Sequence, residues 1–325
     1  MKTKIILTSL FFFIVINLAC VSAADNGTSD NNELIKDQKY QDVEINEKTL
    51  WGSSLASLGM QIEIFSDDSK YELEKDYAYD SHTDNGKIRQ GLKINKDNFV
   101  IDGKGHTIDG GNKARIFSVT GKNVTIKNLN IINANSKNGA NPDNGAAVDF
   151  QTPGSVDNCT FTKCSTRCHG ALFLAKGGNV TNSAFINNRA GEYGAGIYTE
   201  GGVVDNCKFI ENSVGDVVCG AVCARGNVIV NNSAFIKNVG GGSGAITGTG
   251  NLTVENCNFT ENFAFIPGVL ADITLITKET DLHSVPWDII ENSTLTINNL
   301  FYNNFESATR IIEIPDNRCS VEGGW

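Results

Sequence analysis

From about residue 92 onward, the chain alternates short apolar segments with turns rich in glycine and asparagine. The apolar segments are rich in Val, Ile and Phe, and none of them has the length and spacing of a helix. Segments of this kind, bounded by Gly and Asn, are typical of β-strands joined by tight turns. The pattern therefore predicts an all-β region.

Two motifs recur through this region at a nearly constant interval. A Val-x-Asn-Cys/Ser motif begins at Val156 and returns in steps of 24 residues, with a single step of 26. A second motif lies between its copies, and it reads Gly-Ala-Leu at 170–172 and Gly-Ala-Ile at 244–246. Because two unrelated motifs keep one period, the sequence indicates a repeat architecture.

The period predicts the shape of each repeat. Twenty-four residues hold about three strands of four or five residues with their turns. If the copies stack in register, each strand pairs in parallel with its copy about 4.8 Å away. We therefore predict a single-stranded parallel β-helix of about nine coils over residues 92–312. A leucine-rich horseshoe is the alternative, but its recurrent leucine frame is absent from the sequence.

Equivalent residues of stacked coils are expected to form columns along the axis. We predict a column of stacked phenylalanine rings and an inner column of asparagines whose amides bond to one another. The predicted structural ladder comprises Phe161, Phe185, Phe209, Phe235 and Phe259 together with Asn158, Asn182, Asn206, Asn232 and Asn256.

The remaining segments have a different composition. Residues 1–24 combine lysines, an apolar run and small residues, which predicts a secretory signal peptide and an extracellular, cell-surface or secreted protein. Residues 25–90 contain 15 acidic and 7 basic residues. We predict an acidic, mobile leader over 25–50, an N-terminal cap over 51–91 and a C-terminal tail over 313–325.

Charge and hydropathy limit the choice of partners. The net charge is −10, which argues against nucleic acid and against an anionic membrane surface. After the signal segment, no stretch reaches the ~18 uninterrupted apolar residues that a membrane span needs. We therefore expect no nucleic-acid partner and no membrane span in the mature chain.

The motifs also resemble those of known surface proteins. The F-x-x-N segments at 185–188, 209–212 and 235–238, with Gly-Ala-Ile segments between them, resemble the repeats of polymorphic outer-membrane proteins. Residues 94–133 resemble the opening coils of methanogen adhesin-like surface proteins, and Cys164 departs from the pattern by replacing an F-x-x-N asparagine. The resemblance covers roughly residues 70–310 and implies a right-handed β-helix, export to the cell surface and an adhesive role.

Binding residues are expected where the repeat is interrupted, because insertions in solenoids become loops on one face. One insertion lies within 133–144 and contains Asn135 and Asn138. A second, longer one precedes residue 291 and contains His283 and Trp287. A tryptophan can stack on a sugar ring, although it can also fold back and cover the helix side. The expected partner is a glycan or another cell-surface ligand.

Catalysis is the alternative to binding on this fold. An inverting hydrolase needs two carboxylates across a groove, and a lyase needs acidic calcium ligands with a base. Asp157, Asp205 and Glu255 share one repeat position but lie in alternate coils. We therefore predict no catalytic residue, no metal and no cofactor, and we favour binding. A polysaccharide lyase or hydrolase and a purely structural cell-envelope protein remain the alternatives.

Cysteines and glycosylation sequons complete the list of candidate sites. Cys164 with Cys168 and Cys219 with Cys223 each span a turn, which makes them disulfide candidates in an exported protein. The cysteines at 159, 207 and 257 alternate with serines and are expected to be buried packing residues. Predicted glycosylation sites are Asn123, Asn179 and Asn251, whereas Asn158 is expected to stay unmodified in the inner column.

Overall fold

The structure, a computed structural model, describes residues 52–66, 69–137, 143–215, 219–264, 272–276, 295–302, 309–312 and 321–322, and from residue 274 onward only their backbone. All of them belong to one compact unit, Glu47–Trp325. Predictions for residues 1–50, for Asn138, and for His283 and Trp287 lie outside this part of the chain.

A single helix precedes the strands in the described residues. Helix α1 spans Leu55–Phe65, and the Ser54 hydroxyl at its N-cap accepts a hydrogen bond from the Ser57 amide at 3.2 Å. The Asp84 carboxylate holds the same end by accepting from the Leu55 amide at 3.1 Å and from the Ala56 amide at 2.8 Å. Carboxylates are stabilised at helix N-termini, so the two acceptors fix where α1 begins.

The strands, numbered in chain order, form three parallel sheets. Sheet A consists of β1 (Lys70–Glu72), β2 (Tyr77–Ala78), β4 (Val100–Asp102), β5 (Thr107–Asp109), β7 (Val124–Lys127), β8 (Asn130–Ile132), β10 (Gly154–Asp157), β11 (Thr160–Thr162), β13 (Gly178–Thr181), β14 (Ala184–Ile186), β17 (Gly202–Asp205), β18 (Lys208–Ile210), β21 (Val228–Asn231), β22 (Ala234–Ile236), β25 (Leu252–Thr260), β28 (Leu295–Tyr302) and β30 (Val321–Glu322).

The other two sheets contain one strand per turn. Sheet B consists of β3 (Leu92–Ile94), β6 (Phe117–Val119), β9 (Val148–Phe150), β12 (Leu172–Leu174), β16 (Ile197–Thr199), β20 (Val222–Arg225), β24 (Ile246–Thr249), β27 (Ile273–Ile276) and β29 (Thr309–Ile312). Sheet C consists of β15 (Arg189–Ala190), β19 (Ser213–Val214), β23 (Val239–Gly240) and β26 (Phe263–Ala264).

Successive turns pair in the register that the repeated motif predicts. Val180 pairs with Val156 on one side and with Val204 on the other. The chain passes from sheet A through sheet C to sheet B and back, so each strand lies beside its copy one turn away. The architecture is an all-β parallel solenoid, as the sequence indicates.

The number of turns differs from the prediction. The described residues form about seven turns rather than nine. The prediction divided residues 92–312 by a constant repeat, but the spacing changes after Ala264. There β27, β28 and β29 extend the sheets as separate strands that do not complete described turns.

A phenylalanine column fills the interior of the solenoid beside sheet A. Its five rings are fully buried and stack nearly parallel, with centroid separations between 4.7 and 5.1 Å. This spacing equals the distance between paired strands, so every turn adds one ring to the stack. The column consists of Phe161, Phe185, Phe209, Phe235 and Phe259.

The predicted inner asparagine column lies on the outside instead. Its members are exposed at the corner between the two sheet A strands of each turn, with φ near +50°. Asparagine tolerates this left-handed conformation better than other non-glycine residues, which explains why it recurs there. The side chains still bond between turns, as when the Asn206 amide donates to Asn182 Oδ1 at 2.8 Å. The exposed column contains Asn158, Asn182, Asn206, Asn232 and Asn256.

The buried asparagine ladder is formed by the F-x-x-N residues. Each amide donates to the next asparagine, as from Asn188 Nδ2 to Asn212 Oδ1 at 3.0 Å, and to a phenylalanine carbonyl of the preceding turn. The ladder begins at Cys164, whose amide donates to Asn188 Oδ1, and ends at Asp272, whose Oδ1 accepts from Asn262. Buried amides with these partners lock the register of the turns.

Sheet B carries a second layer on its outer side. The middle residues of its strands point away from the phenylalanine column, yet Asp149, Phe173, Tyr198 and Cys223 are all buried. The segments that lead from sheet C into sheet B cover them. None of the helices in the part of the chain described here is long and apolar enough to cross a membrane.

Candidate binding face

A groove with a positive rim runs along sheet C. Thr166, Ala190 and Val214 are buried in successive turns and form its floor, and the depression has a volume of about 430 Å³. The side chains of Lys137, Arg167 and Arg189 line its rim. We call this surface, from Lys137 to Gly215, the sheet C groove.

Backbone packing brings successive turns close together under the groove. A Cβ atom at Gly191 would lie 2.0 Å from the Arg167 carbonyl oxygen, so only glycine fits there. Ser165 forms a parallel bridge with Arg189, which places Arg167 and Arg189 on neighbouring turns of one face. The spacing of the turns therefore brings the two guanidinium groups to the same surface.

Contacts with the first predicted insertion hold Arg167. Its Nη2 donates to the Lys137 carbonyl oxygen at 2.6 Å, and its Nε lies 3.5 Å from Asp143 Oδ2. The Asp143 carbonyl oxygen accepts from the hydroxyls of Ser136 and Thr166. The Arg167 side chain is nevertheless 67% exposed. It is therefore oriented by the protein and open to a ligand.

The rim has an excess of positive charge. Three cations line it, Lys137, Arg167 and Arg189. Among the described ion pairs, one acidic residue, Asp143, contacts this set, through Arg167. Guanidinium groups bind carboxylate and sulfate oxygens through paired hydrogen bonds. On a chain of net charge −10, this face is suited to an anionic ligand.

Beside the groove, a histidine is enclosed by aromatic rings. The His169 ring stacks on Tyr198 with a centroid distance of 4.9 Å and lies 4.9 Å from the Tyr193 ring, and Phe173 stacks on Tyr198 from the preceding turn. Burial, with a smaller contribution from the positive charge of Arg225, lowers the pKa of His169 to about 4. His169 is therefore neutral at pH 7.

Polar partners also surround the aromatic cluster. The Arg225 guanidinium donates to the Tyr198 hydroxyl at 3.0 Å and lies 3.7 Å from Glu200. Burial raises the pKa of Tyr198 far above its usual range. His169 Nδ1 lies 3.6 Å from Glu192, which is too far for a hydrogen bond. This nitrogen is buried and has no hydrogen-bond partner.

A buried ion pair anchors the insertion further along sheet B. Arg115 and Asp149 are 3.2 Å apart and almost fully buried. Arg115 also donates to the carbonyl oxygens of Asn144 and Gly145 at 2.5 and 3.1 Å. Desolvation raises the pKa of Asp149 and lowers that of Arg115, while their mutual attraction opposes both shifts. The pair ties the end of the insertion, next to Asp143, to the solenoid.

Among the four predicted binding residues, only Asn135 lies in the described part of the chain. It pairs with Ser165 at the start of the sheet C column, two residues before Lys137. Its Oδ1 accepts from the Lys137 amide at 2.8 Å, so Asn135 shapes the groove edge and does not line it. The insertion does border a candidate site, but the three cationic residues that line this site were not predicted from the sequence.

The predicted glycosylation sites are all on the surface. Asn123, Asn179 and Asn251 are exposed, and the amides of Asn123 and Asn251 each donate to an asparagine of the previous turn at 2.9 Å. Asn158 is exposed as well, because it occupies the left-handed corner. The prediction that Asn158 is buried in an inner column, and for that reason unmodified, is therefore wrong.

The predicted disulfide pairs differ in geometry. Cys164 points into the solenoid, where its sulfur contacts the carbonyl of Thr162, while Cys168 is half-buried outside it. The Cys164 side chain stands at the start of the buried asparagine ladder and points away from Cys168. In contrast, the sulfurs of Cys219 and Cys223 lie 3.0 Å apart. All seven cysteines in the described residues are free thiols.

The acidic residues that were weighed for catalysis belong to a hydrogen-bonded column. Asp157 Oδ1 accepts from the Thr181 hydroxyl at 2.6 Å and from the Asn182 amide at 2.7 Å, and Asp205 Oδ1 accepts from the Asn232 amide at 2.8 Å. These contacts join neighbouring turns. No group of three or more His, Cys, Asp or Glu that could hold a metal ion occurs among the residues described.

The sequence contains only a weak signal for the groove residues. Arg189 follows an F-x-x-N motif directly, and Arg167 comes three residues after Cys164 at the equivalent point of the preceding turn. The two arginines therefore occupy different repeat positions, two residues apart, and the period alone does not align them. Their shared face follows only from the geometry of sheet C.

Comparison with known proteins identifies the family. A model of the right-handed β-helix region matches residues 90–259, which is more than half of the chain. The chain therefore belongs to the right-handed β-helix family. A search of curated proteins finds no match.

One solved structure that is similar to this chain is described as "a new PL6 alginate lyase complex with trisaccharide". The two proteins are 11% identical, and the similarity covers 75% of this chain and 68% of the other one, with a TM-score of 0.35. Similarity at this level carries no argument about function.

Proposed function

We propose that this protein is an exported, adhesin-like β-helix that binds acidic glycans of a cell surface or cell wall, without catalysis. The observation that carries the proposal is the sheet C groove, where Lys137, Arg167 and Arg189 present three cations on an otherwise acidic chain. A glycan that carries carboxylate or sulfate groups offers oxygen pairs that match the guanidinium groups.

The shape of the groove supports a polymeric ligand. The groove follows the stacking direction, along which each turn adds about 4.8 Å. A sugar unit in an extended polysaccharide has a similar length scale, so consecutive units can contact consecutive turns. The glycines that line the groove, Gly191 and Gly215, add no side chains between the cationic residues, which favours an extended ligand along the groove.

Export and capping are part of the same proposal. The signal peptide expected at 1–24 would deliver the chain to the surface where glycans occur. Residues 51–91 would form the N-terminal cap. In support of a cap, Leu55, Leu58 and Ile62 of α1 are buried, and β1 pairs with β4 of the next turn. Terminal capping units keep a solenoid soluble by covering its open end.

The groove can be tested with one polymer in two charge states. We expect the full chain to bind polygalacturonate and not its fully methyl-esterified form, because esterification removes the negative charge and keeps the sugar backbone. Exchanging both groove arginines, Arg167→Ala with Arg189→Ala, should weaken binding about tenfold or more, which corresponds to ~1.4 kcal/mol or more. Affinity is measured by isothermal titration calorimetry at low ionic strength, and binding should fall as the Debye length shortens to about 3 Å at 1 M salt.

A matched variant and a product assay control this experiment. Arg89→Ala removes an exposed arginine outside the groove and should leave affinity unchanged. Equal binding by the double variant and the natural protein would exclude the groove as the site. Equal binding of both polymers would exclude charge recognition. Release of new sugar ends during incubation would favour the lyase or hydrolase, and no binding to any polysaccharide would favour the structural role.

A further inference from the structure

Two cysteines lie against each other in the outer layer of sheet B. The sulfurs of Cys219 and Cys223 are 3.0 Å apart, about 1 Å longer than a disulfide bond of about 2.05 Å. Both side chains are fully buried, and they pack in one cluster with Phe173, Tyr193 and Tyr198. Rotation of the two side chains alone could close so small a gap.

The two cysteines belong to different parts of the backbone at sheet B. Cys223 lies in the middle of β20, where it pairs with Tyr198 and Thr247, and its side chain is on the outer side of sheet B. Cys219 belongs to the covering segment that precedes β20. The two residues therefore belong to two layers of the protein, the covering segment and the strand below it.

The other buried cysteines have a different arrangement. A separate buried column consists of Cys159, Ser183, Cys207, Ser233 and Cys257. Each of its cysteine sulfurs contacts a backbone carbonyl, as Cys159 does with Asp157 at 3.3 Å. Cysteines two turns apart are about 9.6 Å distant, which is too far for a disulfide bond. The structure thus distinguishes one adjacent pair from isolated thiols.

We propose that Cys219 and Cys223 are a modification site at which oxidation forms an internal disulfide that fastens the covering segment to β20. Each thiol loses one hydrogen as the Sγ–Sγ bond forms. An external disulfide accepts the two electrons and two protons and is released as two thiols. Burial raises the pKa of the Cys219 thiol, and its attacking thiolate is scarce in the folded protein. The bond therefore forms while the chain folds, before the pair is enclosed.

Peptide mapping gives a direct test. The full chain is refolded with glutathione disulfide, denatured without reductant, alkylated and digested with trypsin. Cleavage after Lys208 and Arg225 gives peptide 209–225, whose only cysteines are Cys219 and Cys223. We expect this peptide to carry no alkyl group and to be two hydrogens lighter than its reduced form. Two alkyl groups on it would overturn the proposal.

The neighbouring peptide is the internal control. Peptide 190–208 contains Cys207 as its only cysteine. We expect full alkylation of Cys207 in the same digest, and oxidation of this thiol to the same extent would overturn the selective pairing. A double variant, Cys219→Ser with Cys223→Ser, gives a second readout. Refolding with reductant in place of glutathione disulfide should lower the melting temperature of the natural protein but not that of the variant, and an equal change in both would contradict a stabilising bond.

Discussion

Asparagine occupies two kinds of position in the turns, a left-handed corner and a buried ladder. At the corner, the backbone conformation determines the residue, as at Asn206 with φ of 51°. In the ladder, hydrogen bonding determines it. Asn238 donates to the Phe209 carbonyl and to Asn262, and it accepts from the amide and the side chain of Asn212. Only the second kind contributes buried hydrogen bonds.

The two positions predict different responses to substitution. Asn238→Ala leaves buried partners unsatisfied on both neighbouring turns and should lower the free energy of unfolding by about 3 kcal/mol. Asn206→Gly keeps a residue that adopts positive φ and removes only exposed hydrogen bonds, so its effect should be below about 1 kcal/mol. Urea unfolding measures both. A larger loss for Asn206→Gly would show that the corner, and not the ladder, holds the turns together.

The pKa of His169 predicts a pH dependence of stability. The pKa is about 4 in the folded state and 6.5 without burial. The unfolded chain therefore binds an extra proton between these values, and the free energy of unfolding falls as pH drops from 6.5 to 4. We expect a loss of roughly 1–3 kcal/mol from this group. Protonation would also place a positive charge near Arg225, which repels it, and near Glu192, which attracts it, so these two effects oppose each other.

Comparison with His169→Phe isolates this contribution. Phenylalanine keeps an aromatic ring against Tyr193 and Tyr198 but does not titrate. The variant should lose less stability than the natural protein between pH 6.5 and 4, measured by urea unfolding at each pH. Identical pH profiles would contradict the buried, neutral histidine.

At the scale of strands and turns, most stability comes from contacts between equivalent elements of neighbouring turns. The strands of sheet A were predictable because their inward residues recur with the motif, as in the valines aligned with Val156. Sheet C was not, since strands such as Arg189–Ala190 are two residues long and have no alternation to detect. The candidate site was missed for the same reason. Its cations become neighbours only through the stacking of these short strands.

Removing one ring should therefore destabilise the turns around it. Phe209 stacks on Phe185 at 5.1 Å and on Phe235 at 4.7 Å and is fully buried. Phe209→Ala should cost about 3–5 kcal/mol. Because solenoid turns contact mainly their neighbours, amide hydrogen exchange should accelerate most in β14, β18 and β22. Uniform acceleration through all described strands would indicate that the turns unfold as one unit.

For the whole molecule, the net charge and the local charge at the sheet C groove differ in sign. A net charge of −10 argues against a general attraction to polyanions. The sheet C groove nevertheless has a local excess of positive charge. Long-range repulsion and short-range attraction then act on the same ligand. If the proposed acidic glycan binds at the groove, the other faces would repel it, so the charge distribution would favour one orientation of binding.

The acidic column on sheet A has a consequence for how such a protein can change its length. Along this column Asp157, Thr181, Asp205, Asn231 and Glu255 follow in register, so a carboxylate stands in every second turn. Deleting a turn that carries Thr181 or Asn231 would set two carboxylates side by side about 4.8 Å apart, where like charges opposite each other are destabilising. Deleting that turn together with a neighbouring turn would keep the carboxylates apart. Loss of two consecutive turns therefore avoids a repulsion that loss of one uncharged turn creates.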